Sequence, residues 1–118
     1  MRLCKHKLTG EYFAIKILEK QNIIAKKQVA HIKNERAVMS KIDHPFIVKL
    51  HKTFQDANNV YMVMEFVIGG ELLTNLRRIG RFPNDVAKFF AAEVILAIEY
   101  LHSKDIVYRD LKPENILL

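Results

Sequence analysis

The order of apolar and polar positions divides the chain into a strand-rich first part and a helical second part. Leu8-Thr9-Gly10-Glu11 is a turn signal, with Gly10 supplying permissive backbone, and short strands on either side complete a hairpin. The second of these strands, Tyr12 to Leu18, is apolar throughout except for Lys16. Residues 21–42 are predicted helical, with Ile32, Met39 and Ile42 near helical spacing. Asp43-His44-Pro45 stops that helix, because the residue before a proline avoids helical geometry. Phe46 to Phe54 and Val60 to Ile68 are two further predicted strands, with the Asn- and Asp-rich Gln55 to Asn59 as the turn between them.

Gly69-Gly70 is the only glycine pair and the natural place for a hinge. Beyond it, Glu71 to Arg78 is a short helix broken by Gly80 and Pro83. Asn84 is expected to cap a long helix, with Asp85 favourably placed in the first turn. Val86, Phe90, Val94, Ala97 or Ile98, and Leu101 give that helix an apolar stripe, and it ends near Ser103. A polar loop follows, and Ile116-Leu117-Leu118 begins a strand. The expected fold class is α+β: residues 1–68 form an antiparallel sheet lobe with one main helix, and residues 69–118 form a helical lobe beyond the hinge. Two lobes meeting at a hinge leave a cleft, a common place for a ligand.

Composition narrows this picture only a little. The 118 residues suit one domain or a piece of one, and at 50% hydrophobic they supply a core. No apolar run approaches the ~20 residues that cross a bilayer, and the start Met1-Arg2-Leu3-Cys4-Lys5-His6-Lys7 has no signal-peptide core. The lone Cys4 has no partner for an internal disulfide, so cytoplasm, with the nucleus as alternative, is the expected location. The net charge of +6 is spread over Lys5 and Lys7, Lys26 and Lys27, and Arg77, Arg78 and Arg81. These groups are dispersed and lack interleaved aromatics, so a nucleic-acid-binding module is an alternative that rests on charge alone.

Three features carry chemistry. Lys16 sits in an apolar strand, where a lysine must find a charge partner or reach water. Glu35 lies three and four positions from Ile32 and Met39 on the helix stripe, an unusual place for an unpaired carboxylate. The two answer each other if the strand packs on the helix; a solvated glutamate at the edge of the stripe is the alternative. A buried pair of this kind would cost ~3–5 kcal/mol to break. The third feature is the run Tyr108-Arg109-Asp110-Leu111-Lys112-Pro113-Glu114-Asn115. Asp110 can accept a proton or orient a hydroxyl, Lys112 can place charge beside a phosphoryl group, and the amide oxygen of Asn115 suits a hard cation such as magnesium.

That run, together with Ala14-Ile15-Lys16 and Glu35, resembles the serine/threonine protein kinases. Tyr61-Met62-Val63-Met64-Glu65-Phe66, Gly69-Gly70-Glu71 and Leu76-Arg77-Arg78-Ile79-Gly80-Arg81-Phe82 resemble in particular the catalytic-subunit group of the cyclic-AMP-dependent kinases, with a fungal character after Phe82. The resemblance implies a partial protein-kinase fold that uses ATP and Mg2+. It implies that Lys16 holds the nucleotide phosphates and pairs with Glu35, and that Met64 stands behind the adenine. Ala14 and Leu117 would sandwich the ring, and the backbone of Glu65 and Val67 would bond its edge. Glu71 would reach the ribose and, with Glu114, basic residues of a substrate peptide. Asp110 would be the catalytic base, Lys112 a phosphate contact and Asn115 a metal ligand.

Protein substrates with Arg or Lys near the target Ser or Thr, and a cyclic-AMP-binding regulatory subunit, are the implied partners. The family's G-x-G-x-x-G loop and Asp-Phe-Gly motif do not occur in these residues. The chain therefore resembles the central part of a kinase domain and is expected to be inactive and aggregation-prone alone. A non-catalytic remnant that keeps a nucleotide or partner site is the alternative.

Overall fold

The computed structural model describes residues 1–118. Strand β1 (Arg2–Lys5) turns back into β2 (Tyr12–Glu19), followed by helices α1 (Lys20–Ala25) and α2 (Val29–Met39). Strands β3 (Leu50–Gln55) and β4 (Asn59–Glu65) come next, then α3 (Leu72–Ile79), α4 (Asn84–Ser103) and a 3-10 turn at Pro113–Asn115. Two units result, one of residues 1–43 with 47–66, the other of residues 44–46 with 67–118. The fold is α+β with a four-stranded antiparallel sheet.

In the first unit the sheet order is β1-β2-β4-β3. Inner strands are covered on both edges, and the core concentrates there: Met62 and Met64 on β4 are 1% and 8% exposed. The β2–β4 register sets Ala14 opposite Met64 and Lys16 opposite Met62. On the outer side of β4 the pairing with β3 slips between Leu50 and Lys52, so His51 is an extra residue that bends the edge strand.

The single helix expected over residues 21–42 is two helices. The amide of Gln28 bonds the Ile23 carbonyl and that of Lys27 bonds the Ile24 carbonyl, while Lys27 takes a left-handed φ of 54°. This is the Schellman ending, built here without the glycine that usually marks it, so hydrophobic spacing passed over the break. The same device ends α4, where Asp105 has φ 59° and Ile106 N–H reaches back to the Leu101 carbonyl. Strands β3 and β4 are shorter than the expected Phe46 to Phe54 and Val60 to Ile68.

In the second unit the N-cap of α4 is Pro83, and Asn84 is the first helical residue with no side-chain capping bond. The extended Pro83 backbone lets its carbonyl accept from Ala87 N–H at 2.9 Å, which starts the ladder one residue earlier than the expected cap. Asp85 does lie in the first turn. Leu101 is the buried residue of the stripe, while Phe89, Ile95 and Leu96 on the other faces of α4 are exposed. At 20 residues α4 is the longest helix, and no helix is long and apolar enough to cross a membrane.

Gly69 and Gly70 lie inside the second unit, paired with the last residue. Gly69 N–H donates to the Leu118 carbonyl at 3.1 Å, and Leu118 N–H donates to the Gly70 carbonyl at 2.9 Å. A β-carbon on Gly69 would fall on that Leu118 carbonyl, so the position is glycine because two backbones meet there. Gly69→Ala is expected to open this contact while leaving the sheet intact. Amide exchange at Leu118 should speed up by about tenfold or more, equivalent to ~1.4 kcal/mol, with β4 amides unchanged.

The β3–β4 turn is organised by Asp56. Its carboxylate accepts from Asn58 and Asn59 N–H at 2.8 and 2.7 Å and from the Tyr61 hydroxyl at 2.7 Å. The hydroxyl bond, then the two backbone donors, hold the Asp56 carboxyl below its ordinary 3.8, and the same bond to Asp56 holds the Tyr61 phenol above 10.0. A depressed carboxyl contributes stability above its unfolded value and loses it as pH falls through the folded one. The raised phenol works at the other end: its share is complete below 10.0 and fades as pH rises through the folded value. Chemical-shift titration should therefore show the turn loosening below pH 3.8, and Asp56→Ala should abolish that acid step and lower the melting temperature.

Candidate active site

Among the residues singled out from the sequence, Lys16 and Glu35 come together in the first unit, and Asp110, Lys112 and Asn115 in the second. In the first, Lys16 Nζ lies 3.8 Å from Glu35 Oε1, which links β2 to α2. Their side chains are 37% and 34% exposed. The pair is thus solvated, and its direct contribution to stability is about 1 kcal/mol or less, well under that of the buried pair anticipated from the stripe. What it does is hold a long lysine in place. The strand register adds Ala14 beside Met64, next to the pair along β2 and β4. Glu65 closes the strand; its N–H donates to the Lys49 carbonyl at 2.8 Å, and its carboxylate accepts from Lys49 N–H at 3.2 Å.

In the second unit the polar loop folds on itself. The Asn115 amide nitrogen donates to the Asp110 carbonyl at 2.9 Å and to Asp110 Oδ2 at 2.8 Å. Lys112 Nζ stands 3.2 Å from Asp110 Oδ1. Both carboxylate oxygens are therefore engaged, one by an amide and one by an ammonium. The 3-10 turn at Pro113–Asn115, with Pro113 at its start, makes this possible by returning Asn115 to Asp110. Asp110 and Lys112 are 62% and 49% exposed, so the arrangement adds little to stability and leaves the carboxylate within reach of a solute.

Arg109, immediately before it, holds a φ of 62°. Left-handed backbone in a residue with a branched-out side chain costs ~1–3 kcal/mol and concentrates at functional loops. The sequence offered no signal for it.

The fit to magnesium can be judged from the donors. With its nitrogen committed to Asp110, Asn115 keeps its amide oxygen as an acceptor, the ligand type hard cations take. No group of three or more His, Cys, Asp or Glu side chains gathers anywhere as a metal cage. Magnesium commonly takes one or two protein oxygens and completes its shell with phosphate and water, so this sparse set fits it.

Leu117 and Glu71 are brought together as an isolated antiparallel bridge, and Leu72 N–H donates to the Ile116 carbonyl at 2.7 Å. Asn75 was not singled out from the sequence, yet its amide nitrogen donates to the carbonyls of both Gly69 and Glu71 at 3.0 Å. It fixes the bend in which Glu71 sits. An amide one helical turn after Glu71, on a helix that also carries an apolar side, was the available sign. Glu114 is exposed in the middle of the 3-10 turn. Val67 follows β4 with no backbone hydrogen bond within the chain, so its N–H and carbonyl are available to a ligand.

Comparison with known proteins identifies the family. The protein kinase domain family matches residues 1–118. The chain is 55% identical over 118 residues to cAMP-dependent protein kinase type 3 of Saccharomyces cerevisiae, covering 100% of this chain and 30% of that protein. It is 60% identical over 107 residues to a cAMP-dependent protein kinase catalytic subunit of Schizosaccharomyces pombe, covering 91% and 21%. It is 53% identical over 118 residues to the mouse cAMP-dependent protein kinase catalytic subunit PRKX, covering 100% and 33%. The chain thus spans about a third or less of the length of these relatives. On the match across its whole length and on the loop that binds Asn115 to Asp110, this chain belongs to the protein kinase domain family.

Proposed function

We propose that this chain carries part of the active site of a serine/threonine kinase that transfers the γ-phosphoryl group of ATP to proteins with basic residues near the target hydroxyl. The observation that carries the reading is the Asp110 carboxylate held between Lys112 and Asn115, 3.2 and 2.8 Å away. A carboxylate so placed can take the hydroxyl proton of a Ser or Thr as its oxygen attacks phosphorus. Lys112 puts positive charge where a transferring phosphoryl group gathers negative charge. Asn115 fixes the rotamer of Asp110 through its nitrogen and offers its oxygen to magnesium. Magnesium, when bound, neutralises charge on the nucleotide phosphates.

In the first unit, Lys16, steadied by Glu35, is the phosphate contact, and Ala14 and Met64 supply apolar surface for the adenine with the backbone of Glu65. In the second, the backbone of Val67 and the side chain of Leu117 are suited to contact an adenine, and Glu71 a ribose. Glu71 and Glu114 favour Arg or Lys in the substrate by charge complementarity. A cyclic-AMP-binding regulatory subunit is the partner in keeping with the relatives' names.

A chimaera tests this. Replacing the matching 118 residues of the Saccharomyces enzyme with this chain should give a kinase that phosphorylates an arginine-containing serine peptide. Asp110→Asn in that chimaera should lower kcat by roughly 10²–10⁴-fold, with nucleotide affinity retained. A folded chimaera with no transfer, or an Asp110→Asn variant as fast as the parent, would contradict the assignment. The 118 residues by themselves are expected to show little or no turnover in the same assay.

A further inference from the structure

The aliphatic hydroxyls of the chain are Thr9, Ser40, Thr53, Thr74 and Ser103. Ser40 and Ser103 donate their hydroxyls to the carbonyls of Ala37 and Tyr100 at 2.8 and 2.6 Å, at the ends of α2 and α4. Thr53 is half-buried in β3 opposite Met62. Thr74 lies within α3, where the residues before it are Glu71, Leu72 and Leu73. Thr9 differs from all of them. It is exposed at the tip of the β1–β2 hairpin, beside a Leu8 that is 92% exposed. Its hydroxyl oxygen accepts from Glu11 N–H at 3.3 Å, and its hydroxyl proton is not committed to any carbonyl. Lys5, His6 and Lys7 all precede it within four positions.

We propose that Thr9 is a phosphorylation site for a kinase with the basic-residue preference proposed above, the reading on which this inference rests. Only the tip of the turn is lightly held. Leu8 and Thr9 N–H donate to His6 Nδ1 at 3.3 and 3.2 Å, both in solvent, and Gly10 N–H to the His6 carbonyl at 2.9 Å closes the loop. The two bonds to His6 Nδ1 are long and exposed and therefore weak, so residues 7–9 can open at little cost. Lys5, however, pairs with Tyr12 of β2 and His6 N–H donates to the Glu11 carbonyl at 2.8 Å, so presenting Lys5 and His6 as well requires that end of the β1–β2 pairing to fray. An extended Lys-His-Lys-Leu-Thr then offers two ammonium groups to the acidic substrate-binding side chains of such a kinase. In the transfer, the bond from the γ-phosphorus of ATP to its bridging oxygen breaks as the bond from Thr9 Oγ1 to phosphorus forms. ADP leaves, and the hydroxyl proton passes to the kinase's catalytic carboxylate. The product carries about −1.5 to −2 charge at pH 7. It sits beside Glu11 N–H, which already donates to Thr9 Oγ1 and can bond a phosphate oxygen.

The test uses an added enzyme, so that it is independent of turnover by this chain. The chain is incubated with MgATP and an active cAMP-dependent kinase catalytic subunit, and phosphorylated residues are mapped by mass spectrometry. The expected result is phosphate on Thr9, absent from Thr9→Val and retained in Thr9→Ser. The Lys5→Ala/Lys7→Ala variant should be labelled roughly tenfold more slowly, and Lys5→Arg/Lys7→Arg at least as fast as the parent. No phosphate at Thr9 while a basic control peptide is phosphorylated, or equal labelling of the double-alanine variant, overturns the proposal. Either result leaves the chimaera experiment untouched, because that experiment reads transfer by Asp110 and this one reads acceptance by Thr9.

Discussion

Strand β4 pairs with β2 on one side and β3 on the other, and the remaining geometry of the first unit follows from that pairing. Its Met62 and Met64 are the deepest side chains of the unit. Antiparallel register fixes which residues of β2 stand beside them, so Ala14 and Lys16 inherit their places from two buried methionines. A slip of one residue would send Lys16 to the opposite face of the sheet, away from Glu35. The ion pair is too exposed to enforce the register by itself. Packing at β4 positions the lysine, and the glutamate then holds its far end.

The second unit solves a different problem. An exposed loop must keep a carboxylate, an ammonium and an amide within a few ångströms of one another without a core beneath them. Backbone restraint takes the place of burial. The left-handed Asp105 and Arg109 turn the chain sharply on either side of residues 106–108, and the 3-10 turn returns Asn115 to Asp110. The last residues are then tied back by Gly69, Gly70 and Leu72. The strain at Arg109 and the close approach at Gly69 are costs that a mere connecting loop has no reason to bear.

Most of this was legible wherever side-chain chemistry and period agreed. The apolar β2 with one lysine, the Asn-Asp turn at Asp56, the stripe of α4 and the polar loop all announced themselves in the sequence. The illegible parts share a physical cause. The break between α1 and α2 and the entry to the polar loop depend on left-handed Lys27 and Arg109, residue types that usually avoid that conformation, so composition gave no warning. The start of α4 was placed one residue late because Asn84 looked like a better cap than Pro83. The glycine pair suggested freedom, whereas Gly69 is needed for closeness to Leu118. The stripe marks Glu35 as a carboxylate among apolar residues, but its one-third exposure depends on how α2 lies on the sheet, which no local pattern encodes.

The proposed function assigns nucleotide contacts to the Lys16 cluster of the first unit and a magnesium contact to the Asp110 cluster of the second. The most direct measurement is a titration with ATP, followed by side-chain and amide chemical shifts, with and without magnesium. The account predicts saturable changes at Ala14, Lys16, Met64 and Val67 with ATP, and a change in the Asn115 side-chain amide that needs magnesium. Changes confined to dispersed surface groups such as Lys26, Lys27 and Arg81, without saturation and with Asn115 unmoved, would contradict it.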